Sequence, residues 1–200
     1  TKSEKRIISS GRTVIGGDDK CGVFIILEML KNGFKDEINF VFSVSEESGG
    51  YGINYFLNNN FDEVKKLPYG LVLDRKGNED IICTNNFYGV KEFEDILIKI
   101  GKDFGYSKAT GLFSDANYLS KAISCANLSV GYYQPHSKNE YIVLDDLEKA
   151  YDFTSRIVLN VKEKFEVNKL AGNSRYSLDF PYMFDFDNAA VNFDANDFLQ

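Results

Sequence analysis

Helical and strand-like segments alternate along this chain, and that alternation limits its fold more than any other feature. Apolar residues recur at helical spacing in some segments, whereas others are short, continuous apolar runs. This order is typical of an α/β fold, and we predict a three-layer sandwich with a central mixed, mostly parallel sheet. Helices are predicted over residues 18–32, 51–58, 93–100 and 144–164, and strands over residues 38–44, 69–74, 80–84 and 128–133.

Two of these strands carry more detailed predictions. The run 38–44 is apolar on nearly every residue, which predicts a central strand covered on both faces. A turn at residues 76–78 predicts that strand 80–84 pairs antiparallel with strand 69–74.

The chain has 200 residues, of which 44% are hydrophobic and 26% charged, a composition that is typical of a globular domain. We predict a single core domain over residues 1–171. Residues 172–200 form a tail in which aspartates alternate with aromatic residues. The tail is interpreted either as a solvated extension or as an acidic-aromatic docking segment.

Several classes of protein are excluded by composition. No apolar run approaches the roughly 18–20 residues that span a bilayer, and the first residues contain no apolar signal region. A net charge of -7 argues against nucleic acid as the main partner. The cysteines Cys21, Cys83 and Cys125 lack CxxC spacing, so a disulfide framework is not indicated and we predict a reducing cytoplasmic location.

Four polar clusters stand at predicted strand ends or turns, at residues 16–20, 45–49, 73–75 and 134–137. The carboxyl ends of strands in an open α/β sheet meet at one crevice, so these clusters are expected to share a site. Their donors are carboxylate oxygens and the imidazole of His136, the single histidine of the chain. That donor set suits Zn, Mn or Co.

Each candidate residue also has an ordinary structural interpretation. Glu46 and Glu47 are either a solvated turn or a metal ligand beside a general base, because two adjacent carboxylates in a confined place repel each other. Asp18 and Asp19 fit the N-cap of a helix, where one could cap while the other faces the crevice. Asp74 fits a turn, and a lone histidine is more often a surface residue than a ligand.

Taken together, the four clusters resemble the motifs of the co-catalytic zinc exopeptidases, the superfamily that includes peptidase T, glutamate carboxypeptidases and related aminopeptidases. Gly-Gly-Asp-Asp-Lys-Cys-Gly is similar to their Gly-Ala-Asp-Asp-Lys-Ala-Gly motif, and Ser-Glu-Glu-Ser-Gly to their Glu-Glu motif. Leu-Val-Leu-Asp-Arg matches their later aspartate, and Gln-Pro-His-Ser their final histidine. The resemblance covers roughly residues 8–151.

The resemblance implies a role for each matching residue. Asp18 would bridge two metal ions, Glu47 and His136 would complete the first site, Asp74 would contribute to the second, and Glu46 would be the general base. It implies one or two zinc ions, with Mn or Co as alternatives. The expected activity is that of a metal-dependent peptidase, of the aminopeptidase type, acting on small peptides with a free amino terminus.

Two departures from the family pattern qualify these expectations. The family has an upstream His-x-Asp motif, whereas no histidine precedes His136 here. Three explanations are open: the motif lies on a segment outside these residues, the chain works with one metal, or the chain is inactive. We favour the first explanation, with the motif supplied by a partner segment or in a homo-oligomer. No dimerisation domain separates Asp74 from His136, so the chain resembles a bare, single-domain aminopeptidase core.

Two other functions remain open from the sequence. The first is a catalytically silent relative that serves as a binding or structural protein. The second is a different amide hydrolase, such as a deacylase of modified amino acids, which would use the same metals with other pocket walls.

Overall fold

A computed structural model describes residues 4–172 of the chain. Its helices are α1 (Gly17–Lys31), α2 (Tyr51–Val64), α3 (Lys91–Gly101), α4 (Ala116–Leu119) and α5 (Leu144–Asn160). Its strands are β1 (Arg6–Ile8), β2 (Gly70–Arg75), β3 (Asp80–Ile82), β4 (Ser107–Lys108), β5 (Cys125–Ser129), β6 (Tyr132–Tyr133) and β7 (Tyr141–Val143).

The central sheet has four strands in the order β2-β5-β3-β4. Strands β2 and β5 are parallel, β3 and β4 are parallel, and β3 runs antiparallel to β5. The sheet is therefore mixed and mostly parallel, as the sequence predicts. A second, antiparallel sheet has the order β1-β7-β6.

Helices cover both faces of the central sheet, which confirms the predicted three layers. Leu73 and Ile81 share a core with residues of α1, α3 and α5. The neighbouring residues Val72 and Ile82 belong instead to a cluster that includes Ala116 of α4. Adjacent residues of each strand thus face opposite layers, as the period of two along a strand requires.

The prediction of a central strand over residues 38–44 is wrong. This segment forms no strand, and Phe40, Phe42 and Val44 are 51%, 46% and 70% exposed. A strand needs a hydrogen-bonding neighbour, whereas a cavity of about 270 Å³ separates this segment from β2 at the edge of the sheet. The apolar run identified a segment that tends to be buried but could not show whether a neighbouring strand was available.

Other elements differ from prediction in their pairing or their ends. Strand β3 pairs with β5 and not with β2, because β5 lies between them in the sheet. The predicted strand 128–133 is two short strands, divided at Gly131, where φ is 91°. The last helix, predicted to end near residue 164, ends at Asn160, and helix α2 continues past its predicted end at residue 58 to Val64. The sequence does not predict strand β1.

The predicted tail, residues 172–200, lies outside the described residues apart from Gly172. In the described range, 4–172, no helix has the length and apolar character that a membrane span requires.

Close packing of α1 on β2 depends on Gly22. A Cβ atom at this position would collide with the backbone oxygen of Leu73 and with the carboxylate of Asp19. The backbone oxygen belongs to a strand of the sheet and cannot rotate away, so the absence of a side chain lets the helix approach.

We predict that Gly22→Ala lowers the free energy of unfolding by about 1–3 kcal/mol, because the methyl group overpacks this contact. Alanine gains up to about 1 kcal/mol of helix propensity over glycine, which offsets only part of the cost. Urea denaturation measures the difference. Val23→Ala, at a partly exposed position on the same helix, is the control and should change stability little. An alanine at position 22 that stabilises the protein would contradict the steric argument.

Candidate metal centre

Three side chains from distant parts of the chain converge at one end of the fold. Asp18, Glu47 and His136 each offer a ligand atom, and these atoms lie within 4.8 Å of one another. His136 Nε2 is 3.3 Å from Asp18 Oδ2 and 3.3 Å from Glu47 Oε1. The Asp18 side chain is only 13% exposed, whereas those of Glu47 and His136 are each 61% exposed. The group is therefore a cluster with one buried carboxylate and an open outer side.

The start of α1 separates the roles of its two aspartates. Asp18 and Asp19 have non-helical backbone angles, and the Asp19 carboxylate accepts a hydrogen bond of 3.0 Å from the backbone N–H of Gly22. Asp19 thus satisfies a free donor of the first helical turn. Asp18 is left to face Glu47 and His136. Lys20 points back to the preceding loop, where its ammonium group donates to the carbonyl oxygen of Ile15 at 2.8 Å.

The other two ligands of the cluster stand on loops with left-handed backbone. Ser45, which precedes the Glu46–Glu47 pair, has φ of 58°, and His136 itself has φ of 58°. Such angles are uncommon for residues with a side chain and occur often at binding sites. Gly49 and Gly50 close the glutamate loop with backbone hydrogen bonds to Glu46 O, both 2.9 Å long.

Asp74 and Glu46 line a cavity of about 440 Å³, which Asp18 and Glu47 also line. Asp74 is the last residue but one of β2, and its carboxyl is in hydrogen-bonding contact with that of Asp18. The hydroxyl of Tyr132 donates to Asp74 Oδ1 at 3.3 Å, and the side chain of Asn127 bonds to both the N–H and the carbonyl of Asp74. These contacts fix the position of Asp74 beside Asp18.

The electrostatics of the cavity are dominated by carboxylates. Burial, followed by repulsion from Asp115, Glu47 and Asp18, raises the pKa of Glu46 to about 7. Burial and the neighbouring carboxylates also raise the pKa of Asp74 well above its usual range. Within residues 4–172 no lysine or arginine forms an ion pair with Asp18, Glu46 or Asp74. A bound cation would relieve this repulsion, and oxygen donors with one imidazole are a donor set that suits zinc and related ions.

The sequence does not point to two further carboxylates near this site, the partly buried Asp115 and the buried Glu140. Asp115 lines the cavity and accepts a hydrogen bond from the hydroxyl of Ser43, while its other oxygen is buried with no hydrogen bond in the described part of the chain. Glu140 bonds to the loop that precedes α1. Asp115 stands before a helix of four residues, where an aspartate is ordinarily a cap, and nothing in the sequence distinguishes it from one.

The chain resembles known proteins in its fold but not detectably in its sequence. No protein-family sequence model matches the chain, and no curated protein sequence does. Among solved structures, the TET1 peptidase of Pyrococcus horikoshii, which can assemble into a tetrahedron or a large octahedral shell, matches with a TM-score of 0.60 and 21% identity, over 80% of this chain and 54% of that one. The aminopeptidase PepT from Bacillus cereus matches with a TM-score of 0.56 and 17% identity, over 79% and 74%.

An aminopeptidase from the archaeon Desulfurococcus kamchatkensis matches with a TM-score of 0.59 and 18% identity, over 80% of this chain and 50% of that one. The chain has the fold of these aminopeptidases. The resemblance seen in the four motifs is thereby confirmed at the level of the fold. The chain spans about half the length of the archaeal structures.

We predict that the metal-free protein becomes less stable as the pH rises from about 5 to about 8. Glu46 has a pKa of about 7 in the folded chain, above its ordinary value of 4.5. The folded chain therefore binds more protons than the unfolded chain between these values, and the contribution to stability is lost as the pH rises through 7. The raised pKa of Asp74 lowers the stability of the folded chain with rising pH in the same way. Thermal unfolding in the presence of a chelator should show Tm falling by a few degrees.

The double variant Glu46→Gln, Asp74→Asn tests the assignment of this effect. It removes both ionisable groups, so the slope of Tm against pH should flatten. An unchanged slope in the double variant would mean that other groups cause the pH dependence.

Proposed function

We propose that this chain is the catalytic core of a metal-dependent peptidase of the aminopeptidase type. The observation that supports this most directly is the convergence of Asp18, Glu47 and His136 within 4.8 Å in a chain with an aminopeptidase fold. These residues come from the start of α1, the loop before α2 and the loop after β6. In our proposal they hold the first metal ion.

We assign the second metal position to Asp18 and Asp74, whose carboxyls are in contact. Asp18 would bridge the two ions, which is the role that the motif resemblance implies. Zinc is the proposed metal, with manganese or cobalt as alternatives, because the donors are carboxylate oxygens and one imidazole. When bound, such ions acidify water and polarise a carbonyl group.

Glu46 is the proposed general base. Its carboxylate lines the cavity beside the metal ligands, and its pKa of about 7 suits a group that must accept and release a proton near neutral pH. Glu46 takes a proton from the attacking water, whose oxygen bonds to the peptide carbonyl carbon. It then passes that proton to the leaving amine as the carbon–nitrogen bond breaks.

The proposed substrate is a small peptide with a free amino terminus. The cavity is lined by six carboxyl groups and one ammonium group, and those carboxylates that are ionised and hold no metal would attract a positively charged peptide end. The carboxylates are Asp18, Asp19, Glu46, Glu47, Asp74 and Asp115.

The same site raises a second candidate function, that of a catalytically silent relative. His136 is the only histidine of the chain, so the second metal position has carboxylates but no imidazole of its own. Carboxylates alone bind zinc less well. In our proposal this position is completed by a partner segment that carries a His-x-Asp motif.

We further propose a reducing, cytoplasmic location. Cys21, Cys83 and Cys125 are free and buried, and none of them is part of a disulfide. Such cysteines suit a compartment in which thiols stay reduced.

The metal content per chain is the first test of the proposal. After dialysis against trace zinc, we expect at least one zinc per chain by elemental analysis and none in His136→Ala, because the variant removes the only nitrogen ligand. Asp18→Ala should lose metal as well. A parent chain that binds no zinc would contradict the catalytic proposal and favour the silent relative.

We predict that Glu46→Gln keeps the metal but loses about 10²–10⁴-fold in turnover, because the amide cannot accept the proton of the water. Hydrolysis of an aminoacyl anilide measures the rate, and the same substrate with an acetylated amino group tests the requirement for a free amine. Glu79→Gln, a change outside the residues that line the cavity, is the control and should keep full activity. If Glu46→Gln matches an active parent, Glu46 is not the base.

A further inference from the structure

Glu140 is a buried carboxylate that the metal cluster itself does not use. It is 1% exposed. Its Oε2 atom accepts hydrogen bonds from the backbone N–H groups of Ile15 and Gly16, both 2.9 Å long, and its Oε1 atom accepts one of 3.1 Å from the N–H of Asp18. One side chain thus binds three donors of the loop that leads into α1.

These bonds are what stabilises the charge of Glu140. In the described part of the chain no lysine, arginine or histidine forms an ion pair with it. A carboxylate removed from water is costly unless strong hydrogen bonds replace its hydration, and bonds from N–H groups to an ionised carboxylate are about twice as strong as neutral ones. The conformation of the loop and the charge of Glu140 therefore depend on each other.

The position of Glu140 in the chain connects two of the proposed metal ligands. It stands four residues after His136, at the end of the same loop, and its backbone N–H bonds to the carbonyl of Ser137 at 3.1 Å. The hydroxyl of Ser137 donates in turn to the carbonyl of Gln134 at 2.8 Å, which closes the loop around His136. Glu140 therefore ties the loop that presents His136 to the backbone of Asp18.

Little space surrounds this contact. A Cβ atom on Gly17 would lie 3.1 Å from Glu140 Oε1 and 3.0 Å from the side chain of Tyr132. The carboxylate is thus confined between the start of α1 and the second sheet.

We propose that Glu140 is a positioning residue of the metal centre, which holds Asp18 and His136 at the separation that a shared ion requires. This inference rests on the proposed metal centre and adds a residue that touches neither the ion nor the substrate. Its effect is on metal affinity and on the geometry of the bound ion, through the backbone of Asp18.

Glu140→Gln tests the inference with little change of shape. The amide replaces one acceptor oxygen by an N–H donor, which cannot accept from the loop, so at least one of the three hydrogen bonds is lost. We expect zinc affinity to fall by about 10–100-fold, as is usual when a group that orients a metal ligand is removed. Competition with a chromophoric chelator measures the affinity. The visible absorption spectrum of the cobalt-loaded protein should also change, because it reports the ligand geometry.

Glu94→Gln is the matched control. Glu94 is also buried, at 3% exposure, and its carboxylate accepts bonds from the N–H and hydroxyl of Thr84, at 2.9 Å and 2.8 Å, as well as from Lys108. It holds a different loop, and none of its partners is a proposed metal ligand. We expect Glu94→Gln to lower Tm while leaving zinc affinity and the cobalt spectrum unchanged.

Glu140→Asp is the second variant, in case the glutamine variant folds poorly. It keeps the charge but is one methylene shorter, so it should bind zinc with an affinity between those of the parent and Glu140→Gln. Parental affinity and cobalt spectrum in both Glu140 variants would overturn the positioning role while leaving the metal centre intact. Equal losses of affinity in Glu140→Gln and Glu94→Gln would also overturn it, since the effect would then follow stability alone. A parent that binds neither zinc nor cobalt would remove the metal centre and this inference with it.

Discussion

Mutual repulsion among partly buried carboxylates is the constraint that the rest of this site depends on. Asp18, Asp19, Glu46 and Asp74 share one cavity, and burial raises the pKa values of the last three. In the described range, 4–172, no lysine or arginine forms an ion pair with these groups, so the fold loses stability when they ionise. Such an arrangement lowers the folding stability of a chain that uses it only as a scaffold. A bound divalent cation would instead attract the same carboxylates and relieve their repulsion.

The backbone supplies the geometry that brings these charges together. Gly22 lets α1 approach β2 closely enough for its first turn to meet the end of that strand. Asp19 is held by the N–H of Gly22, and Asp18 by Glu140 through its own N–H. Asp18 contacts Asp74 on one side and Glu47 and His136 on the other. Its position therefore depends on packing and on backbone hydrogen bonds more than on attraction between side chains.

The sequence predicted the layers and the residues of the cluster better than it predicted the strand pairing. Asp18, Glu47, Asp74 and His136 could be singled out because each follows a helix-start or strand-end signal, and such ends meet at one edge of an α/β sheet. The segment 38–44 could not be placed, because an apolar run shows that a segment tends to be buried and does not show which neighbour pairs with it. The turn at residues 76–78 indicates the wrong neighbour for strand β3, because β5, its antiparallel partner, follows more than forty residues later.

Glu140 shows why a positioning residue escapes sequence analysis. Its partners are backbone N–H groups 122 to 125 residues earlier in the chain, and backbone donors leave no signature in residue type. A glutamate in a polar loop near a histidine has the appearance of a solvated residue, and only the folded chain shows that it is buried.

The two proposed metal positions differ in how completely this chain provides them. The first has two carboxylates and an imidazole on three separate segments of the chain, two of which are tied together by Glu140. The second has the contact between Asp18 and Asp74, supported by Tyr132 and Asn127, and no nitrogen donor. Because Asp18 belongs to both, an ion at the first position would also fix one ligand of the second. The first ion would therefore lower the cost of assembling the second position, and a segment carrying a histidine would need to add only what the chain does not supply.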